Sequence, residues 1–159
     1  MSELCGQQRP GSRLLPVIHV LNGPNLNRLG QREPEIYGRT TLAEVEALCR
    51  AAAGDAALVF RQTNWEGQLI DWIHEAIDAP ADGLIINPAG LSFRSIPLVD
   101  ALRMVPQPII ELHISNIHRR DALHQHSLVS GVATAVIAGL GARGYATAVR
   151  AMLDLLDDA

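Results

Sequence analysis

Short apolar runs alternate along the chain with segments in which apolar residues recur every three or four positions. The runs have the length of β-strands and lie at residues 14–21, 57–63, 83–87, 108–112 and 132–138. The segments with helical spacing lie at residues 42–53, 68–79, 96–104 and 145–156. Apolar runs buried on both faces are typical of parallel strands that are joined through helices. The pattern therefore predicts a three-layer α/β domain with a five-stranded parallel sheet.

The length and the hydrophobic content indicate one domain. The chain has 159 residues, and 48% of them are hydrophobic, which suits one core. Residues 1–13 carry no periodic pattern, so we expect a loose N-terminal tail followed by a single domain over residues 14–159. No leader pattern opens the chain, and no apolar run approaches the roughly 20 residues of a membrane span. We therefore expect a cytoplasmic protein with no membrane partner.

The charge pattern limits the kinds of partner and the kinds of reaction mechanism that we expect. The formal net charge is −4, and the 13 basic residues, all of them arginine, are scattered. Nucleic acid requires a basic face, so we expect small molecules or copies of the chain as partners. The absence of lysine excludes a Schiff-base mechanism. Cys5 and Cys49 lack paired spacing, and His118, His124 and His126 lack carboxylate-anchored ligand geometry, so we predict reduced cysteines and no metal site.

Residues 22–38 predict a long loop that carries chemistry. Two prolines, three glycines and three asparagines oppose a regular element, while reactive or charged side chains stand on a segment free to move: Arg28, Arg32, Glu33 and Tyr37. A functional tyrosine needs a nearby cation, because an ordinary phenol is almost fully protonated at neutral pH. Arg32 and Arg39 are both candidates. We interpret the loop as a lid, and the alternative is a mobile polar connection.

Polar side chains follow four of the predicted strands at the point where each strand ends. Ligands of open parallel sheets bind beyond the carboxyl ends of the strands. A single asparagine there is more often a turn residue, but four strand ends with this behaviour indicate one cleft. The residues are Asn22 and Asn25, Asn64 and Glu66, Asn87, and then Glu111, His113, Ser115 and Asn116.

Glu111 and His113 alternate along the fourth predicted strand, so both side chains point to one face. A carboxylate in that place can orient the imidazole, which makes His113 a candidate acid; the alternative is a structural histidine. We expect Ile114 and Ser115 to begin a helical turn whose free N–H groups suit a carboxylate. The ligand is therefore predicted to be an acid.

Residues 139–144 match the G-x-G-x-x-G pattern of dinucleotide-binding folds. That motif needs a later strand with an acidic residue about 20 positions on, and here only one predicted helix follows. We interpret these glycines as residues that let the last helix approach the sheet.

Five motifs together resemble type II 3-dehydroquinate dehydratase, in uninterrupted order from about residue 17 to the last helix. They are Leu21-Asn-Gly-Pro-Asn-Leu-Asn-Arg-Leu-Gly30, Arg32-Glu-Pro-Glu-Ile-Tyr-Gly38, Gln62-Thr-Asn-Trp-Glu-Gly67, Ile86-Asn-Pro-Ala-Gly90 and Glu111-Leu-His-Ile-Ser-Asn116. The resemblance implies a flavodoxin-like fold and a dehydroquinase-like catalytic domain that needs no cofactor. It also implies a homododecamer built from trimers. The other known solution to this reaction uses a lysine imine, which this chain cannot form.

The resemblance also implies roles for individual residues. Tyr37, as a tyrosinate favoured by Arg32, removes a proton next to a ketone, and His113 protonates the departing hydroxyl. Asn25 matches the position that holds a water against the enolate oxygen, and Glu111 matches the residue that steadies the histidine. Substrate hydroxyls and the carboxylate are held at the positions of Asn87, Asp100, Ile114 and Ser115. The expected substrate is a cyclic hydroxy-keto acid, 3-dehydroquinate, of the shikimate or quinate pathway.

Two positions depart from the family pattern. Phe93 stands where the family has a histidine, and His124 stands where it has an arginine, and both positions hold substrate hydroxyls. An unpaired buried hydroxyl costs roughly 1 to 3 kcal/mol. Arg94 and Arg120 are candidates to compensate. Two further hypotheses stay open: the same mechanism on a modified, for instance amino-substituted, substrate, and a non-catalytic binding or assembly protein.

Overall fold

Five strands form one sheet: β1 (Val17–Asn22), β2 (Ala57–Gln62), β3 (Gly83–Asn87), β4 (Ile109–His113) and β5 (Ala135–Ala138). Their order is β2-β1-β3-β4-β5, and every neighbouring pair is parallel. The computed structural model describes residues 15–79 and 81–158, so the predicted tail at residues 1–13 lies outside the described residues. The predicted five-stranded parallel sheet is confirmed.

Helices cover both faces of this sheet. They are α1 (Pro34–Tyr37), α2 (Leu42–Ala53), α3 (Glu66–Asp78), α4 (Ile96–Arg103) and α5 (Arg143–Asp157). Successive strand residues point to opposite faces, so Val20 packs in the core under α2 and α5, and Leu21 packs in the core under α3 and α4. The molecule is thus a three-layer, flavodoxin-like α/β fold, as predicted.

Helix α2 begins at the capping box that the sequence predicts. The backbone N–H of Thr41 donates to Oε2 of Glu44 at 2.7 Å, and the backbone N–H of Glu44 donates to Oγ1 of Thr41 at 3.3 Å. These two bonds satisfy donors that an isolated helix start leaves unpaired. The lid loop is therefore followed by a helix with a fixed start.

The strand order reverses between β1 and β3, because the chain adds β2 on one side of β1 and β3 on the other. Asn22 and Asn87, the last residues of these two strands, are paired in register. Such a reversal leaves a crevice at the carboxyl ends of the strands. The sheet topology therefore places the polar strand ends around one crevice.

Several element boundaries differ from the sequence prediction. The segment 22–38 is not wholly irregular, since it contains a 3-10 turn at Leu26–Arg28 and the short helix α1. The expected helical turn at residues 114–115 is wrong: these residues form a bend, and the 3-10 turn lies at Ile117–Arg119. Strand β5 begins three residues later than predicted, because a 3-10 turn at Val129–Gly131 precedes it.

Candidate active site

One pocket lies at the crevice between the carboxyl ends of β1 and β3. Nine of the eleven predicted site residues line it, all except Glu111 and Asp100: Asn25, Arg32, Tyr37, Asn87, Phe93, His113, Ile114, Ser115 and His124. They come from the lid loop, from the turns after β3 and β4, and from the polar segment after residue 119. The structure therefore brings together residues that lie up to about 100 positions apart. Of the polar strand-end residues predicted to share one cleft, four line the pocket, namely Asn25, Asn87, His113 and Ser115, and the others are not among its lining residues.

A chain of hydrogen bonds, which we call the floor of the pocket, runs from the lining residue Asn87 into the protein interior. Nδ2 of Asn87 donates to the hydroxyl of Tyr145 at 2.8 Å, and that hydroxyl donates to Oδ1 of Asn22 at 2.7 Å. Asn22 in turn donates from Nδ2 to the Arg61 carbonyl at 3.0 Å, and the backbone N–H of Ala89 donates to Oδ1 of Asn87 at 3.2 Å. Burial raises the pKa of the Tyr145 phenol, which keeps it a donor. The Asn87 amide is thereby fixed in orientation.

The loops after β1 and β3 meet backbone to backbone beside this floor. The backbone N–H of Gly23 donates to the Asn87 carbonyl at 2.8 Å, and a Cβ built on Gly23 would lie 2.5 Å from the Pro88 carbonyl oxygen. Only glycine fits there. Across the same loop, Oδ1 of Asn64 accepts from the backbone N–H of Asn25 at 2.8 Å. The end of β2 thus supports the loop that carries Asn25.

His113 is held by a buried carboxylate. Its Nε2 lies 2.7 Å from Oε1 of Glu111, and Glu111 is fully buried on the same face of β4. The hydroxyls of Ser127 and Ser130 also donate to this carboxylate. Burial alone raises the pKa of the Glu111 carboxyl, but the hydrogen bonds from His113, Ser127 and Ser130 outweigh it, so the pKa lies below its usual value. Glu111 is therefore an anion that orients His113.

Tyr37 lies between two arginines. The guanidinium carbon of Arg32 lies 5.4 Å from the centre of the Tyr37 ring, and that of Arg120 lies 5.7 Å away. Nη1 of Arg120 also donates to the Tyr37 hydroxyl at 2.9 Å. Two positively charged side chains thus lie beside Tyr37. Of the two arginines predicted for this role, Arg32 lines the pocket, and Arg39 is not among the described residues that do.

Phe93 forms an apolar wall between two histidines. Its ring centre lies 6.5 Å from that of His113 in a stacked arrangement and 5.2 Å from that of His124 in an edge-on arrangement. Nδ1 of His124 is 2.7 Å from Oδ2 of Asp121, and this hydrogen bond lowers the pKa of the Asp121 carboxyl. Both positions that depart from the family pattern thus face the pocket.

Asp100 lies outside this pocket. It stands on α4 with an exposed side chain and forms an ion pair with Arg103 at 3.1 Å. Asp100 is thus not among the described residues that line this pocket, and its contact with substrate stays a prediction.

A sequence model of the family described as "Dehydroquinase class II" matches residues 16–153. The chain belongs to this family. It is 54% identical over 143 residues to the "3-dehydroquinate dehydratase 2" of Agrobacterium fabrum, which covers 89% of this chain and 97% of that protein. It is 53% identical over 143 residues to the "3-dehydroquinate dehydratase" of Streptomyces avermitilis, covering 88% and 89%.

Solved structures of the dehydroquinase family superpose on this fold. The type II dehydroquinase of Propionibacterium acnes has a TM-score of 0.81 and 42% sequence identity, covering 92% of this chain and 100% of that one. The type II dehydroquinase of Butyrivibrio crossotus has a TM-score of 0.84 and 35% identity, covering 90% and 98%.

Four residues make contacts in this dehydroquinase site that the sequence did not predict: Arg120, Ser127, Ser130 and Tyr145. Arg120 was considered only as a residue that could compensate for Phe93 and His124, yet it contacts Tyr37. The signal for the serines was their spacing of three in a polar segment after the strand with Glu111. No signal in the sequence pointed to Tyr145, because it appears only as the start of an amphipathic helix.

Of the glycines at residues 139–144, Gly144 has the predicted role of letting the last helix approach the sheet, whereas Gly139 and Gly141 have positive φ angles in the turn before that helix. A Cβ built on Gly144, near the start of α5, would lie 3.1 Å from Cδ1 of Leu112 on β4. Within residues 15–79 and 81–158, no three His, Cys, Asp or Glu side chains are grouped so as to hold a metal ion. The helices in this part of the chain are also too short or too polar to cross a membrane.

Proposed function

We propose that this chain catalyses the trans elimination of water from 3-dehydroquinate to give 3-dehydroshikimate. The observation that carries the proposal is one pocket with two differently supported groups: a tyrosine hydroxyl bonded to a guanidinium and an imidazole bonded to a buried carboxylate. Elimination through an enolate needs one base and one acid. Membership of the dehydroquinase family and the names of its relatives support the same reaction.

Tyr37 is the base in this proposal. As a tyrosinate it takes a proton from the carbon next to the ketone, and the electron pair of that C–H bond moves into an enolate. Arg32 and Arg120 supply the positive charge that favours the tyrosinate. Asn25, near the start of the same loop, holds a water against the enolate oxygen.

His113 is the acid that completes the step. As the enolate collapses, the C–O bond breaks, a C=C bond forms, and the imidazolium gives its proton to the departing hydroxyl, which leaves as water. Glu111 stabilises the imidazolium before that transfer. Tyr37 has then gained one proton and His113 has lost one, so exchange with solvent restores both. The sum balances without a metal or an organic cofactor.

Substrate recognition uses the floor and the β4 turn. The Asn87 amide donates one N–H to Tyr145 and accepts from Ala89 with one lone pair. One N–H and one lone pair therefore remain for a substrate hydroxyl. The backbone N–H groups at Ile114 and Ser115, which line the pocket, bind the substrate carboxylate.

Contact between copies of the chain accounts for the position of Asp100 outside the pocket of its own chain. Exposed apolar side chains stand at both ends of its helix, with Ile96 58% and Met104 56% exposed, and the spacing of four puts them on one face with Asp100. A face of this kind suits contact with another copy. In the trimer-based dodecamer that we propose, Asp100 reaches the substrate of a neighbouring chain.

Mixing two inactive variants tests that arrangement. If Asp100 serves a neighbouring pocket, hybrid oligomers of Tyr37→Phe and Asp100→Asn regain activity, because some pockets combine an intact Tyr37 with an intact Asp100. If each pocket is built from one chain, mixing restores nothing. Light scattering on the unmixed protein gives the number of chains, for which twelve is expected.

The test of the reaction is the rise in absorbance of a conjugated enone when the protein is mixed with 3-dehydroquinate over a wide concentration range. Saturable turnover is expected. A folded, assembled protein without turnover at any concentration overturns the proposal. In the control Tyr37→Phe, which removes the acidic hydrogen of the ring and keeps its shape, turnover is lost while the circular dichroism spectrum stays unchanged.

Phe93 favours a second candidate, a related cyclic β-hydroxy-keto acid. Its phenyl ring leaves any hydroxyl placed against that wall without a partner from this side chain. A substrate with a different substituent at that point avoids the penalty. Turnover of 3-dehydroquinate only at very high concentration, with saturation by such an analogue, identifies this candidate.

A further inference from the structure

The carboxylate of Glu111 is fully buried and accepts hydrogen bonds from three side chains. His113 and Ser127 both bond to Oε1, and Ser130 bonds to Oε2. Since an ionised carboxylate offers about four lone-pair positions, these donors occupy most of its capacity. A buried anion depends on such donors, because an unpaired charge is costly in the protein interior.

The two serines stand on a segment that the fold holds in place. Val129, between them, is fully buried in the core under α3 and α4, and the backbone N–H of Leu128 donates to the Ser92 carbonyl at 2.8 Å. Ser130 lies in the 3-10 turn Val129–Gly131, and Ser127 lies two residues before that turn begins. Both hydroxyls reach the same carboxylate. Oγ of Ser127 accepts from the backbone N–H of Val129 at 3.2 Å, so its hydrogen is left for Glu111.

We propose that Ser127 and Ser130 are positioning residues that hold Glu111 as an anion and thereby keep a proton on Nε2 of His113. An anionic carboxylate can only accept, so the nitrogen that faces it must carry hydrogen. A neutral carboxyl could instead donate to Nε2 and move the imidazole hydrogen to Nδ1. The serine pair therefore selects which nitrogen of His113 is available to a ligand.

For the reaction proposed above, this choice decides whether His113 is an acid. With Nε2–H bound to an anion, the second proton of the imidazolium sits on Nδ1, and the anion stabilises that charged ring. The inference rests on the proposed function only for naming His113 the acid. The other ionisable side chains of the pocket are Arg32, Tyr37, Arg120 and His124. On α4, which packs on the same face of the sheet, Asp100 and Arg103 pair with each other.

The first test needs no substrate. Solid-state ¹⁵N spectra of histidine-labelled protein report the tautomer of each ring at any molecular mass, and His113→Asn identifies the His113 signals. In the wild type we expect His113 with hydrogen on Nε2. In the double variant Ser127→Ala/Ser130→Ala we expect part of the signal to move to the Nδ1–H tautomer. A double variant that is folded and keeps the wild-type His113 spectrum overturns the proposal.

The second test uses turnover of 3-dehydroquinate. Ser130 is exposed, so Ser130→Ala removes its hydroxyl without opening a cavity. We expect kcat to fall about 10-fold with KM unchanged, from the loss of one hydrogen bond to a charged group.

Two controls separate positioning from a general loss of stability. Ser130→Thr keeps the hydroxyl and restores kcat. Thr147→Ala removes an exposed hydroxyl that donates to the Arg143 carbonyl on α5, and it leaves kcat unchanged. Equal effects of Ser130→Ala and Thr147→Ala contradict the proposal. A wild type that does not turn over 3-dehydroquinate overturns the proposed function instead, and the spectra still decide the role of the serines.

Discussion

The hydroxyl of Tyr37 accepts a hydrogen bond of 2.9 Å from Nη1 of Arg120, a residue 83 positions later in the chain. This contact joins the short helix of the lid loop to the polar segment that follows β4. The base of the proposed reaction is therefore held by a part of the chain that also carries His124 and Asp121 beside Phe93.

Replacing Arg120 by alanine is expected to slow elimination. A hydrogen bond to a charged group contributes about 1.5 to 3 kcal/mol, which corresponds to roughly a 10- to 150-fold fall in kcat. Steady-state kinetics measure the fall. The matched control is Arg119→Ala, which removes the same charge from an exposed neighbour; equal losses in the two variants would contradict the assignment.

Replacing Phe93 by histidine is expected to improve recognition of 3-dehydroquinate. The imidazole offers a partner to a substrate hydroxyl that phenyl leaves unpaired, a difference of about 1 to 3 kcal/mol or roughly 5- to 150-fold in affinity. KM measured by the enone assay should fall accordingly. Phe93→Leu, which keeps the wall apolar, should leave KM high. A rise of KM in Phe93→His would indicate instead that the wall suits a different natural substrate.

Replacing Tyr145 by phenylalanine is expected to destabilise the fold. The change leaves Oδ1 of Asn22 and Nδ2 of Asn87 without their shared partner in a buried site. Unsatisfied buried groups cost about 1 to 3 kcal/mol, and urea denaturation measures the loss in unfolding free energy. Thr147→Ala on the exposed face of the same helix should change it by less than about 0.5 kcal/mol. A Tyr145→Phe variant as stable as the wild type would mean that the floor can rearrange.

Protonation of the buried His19 is expected to destabilise the fold in weak acid. It is buried on β1, and within residues 15–79 and 81–158 its Nδ1 has no hydrogen-bond partner. Burial lowers the pKa of the His19 imidazole, and the charge of Arg61 lowers it further, while Glu75 acts in the opposite direction. The unfolded chain therefore binds the proton more readily, and stability falls as pH drops below the ordinary value of 6.5.

His19→Leu should flatten this dependence between about pH 7 and pH 5. Unfolding free energies from urea melts at several pH values give the slope. His74→Gln, at an exposed position on α3, should keep the wild-type slope. An unchanged slope in His19→Leu would assign the effect to another group.

Local patterns were enough to predict the sheet and most of the pocket. Apolar runs buried on both faces locate parallel strands, and Asn87 and His113 stand at strand ends that a parallel sheet must bring to one edge. The capping box at Thr41 and Glu44 is equally local, because its two partners are three residues apart.

The predictions that were wrong or absent concerned contacts that the spacing of residues along the chain does not determine. Helix α1 has four residues, too few for an apolar period, and Pro34 at its first turn is as common in loops. The turn after His113 starts at Ile117 because the Ile114 carbonyl bonds to the backbone N–H of Gly141. The partner of the Tyr37 hydroxyl is set by how the polar segment folds back over the lid, which no periodicity records.

The hydroxyl that completes the floor of the pocket belongs to the last helix. During synthesis Asn22 leaves the ribosome 123 residues before Tyr145. Its amide oxygen therefore stays hydrated until nearly the whole chain has been made. The crevice between β1 and β3 therefore closes its polar floor only when α5 docks. A nascent chain that stops short of Tyr145 can carry all of its predicted base, acid and binding residues and still lack a finished pocket.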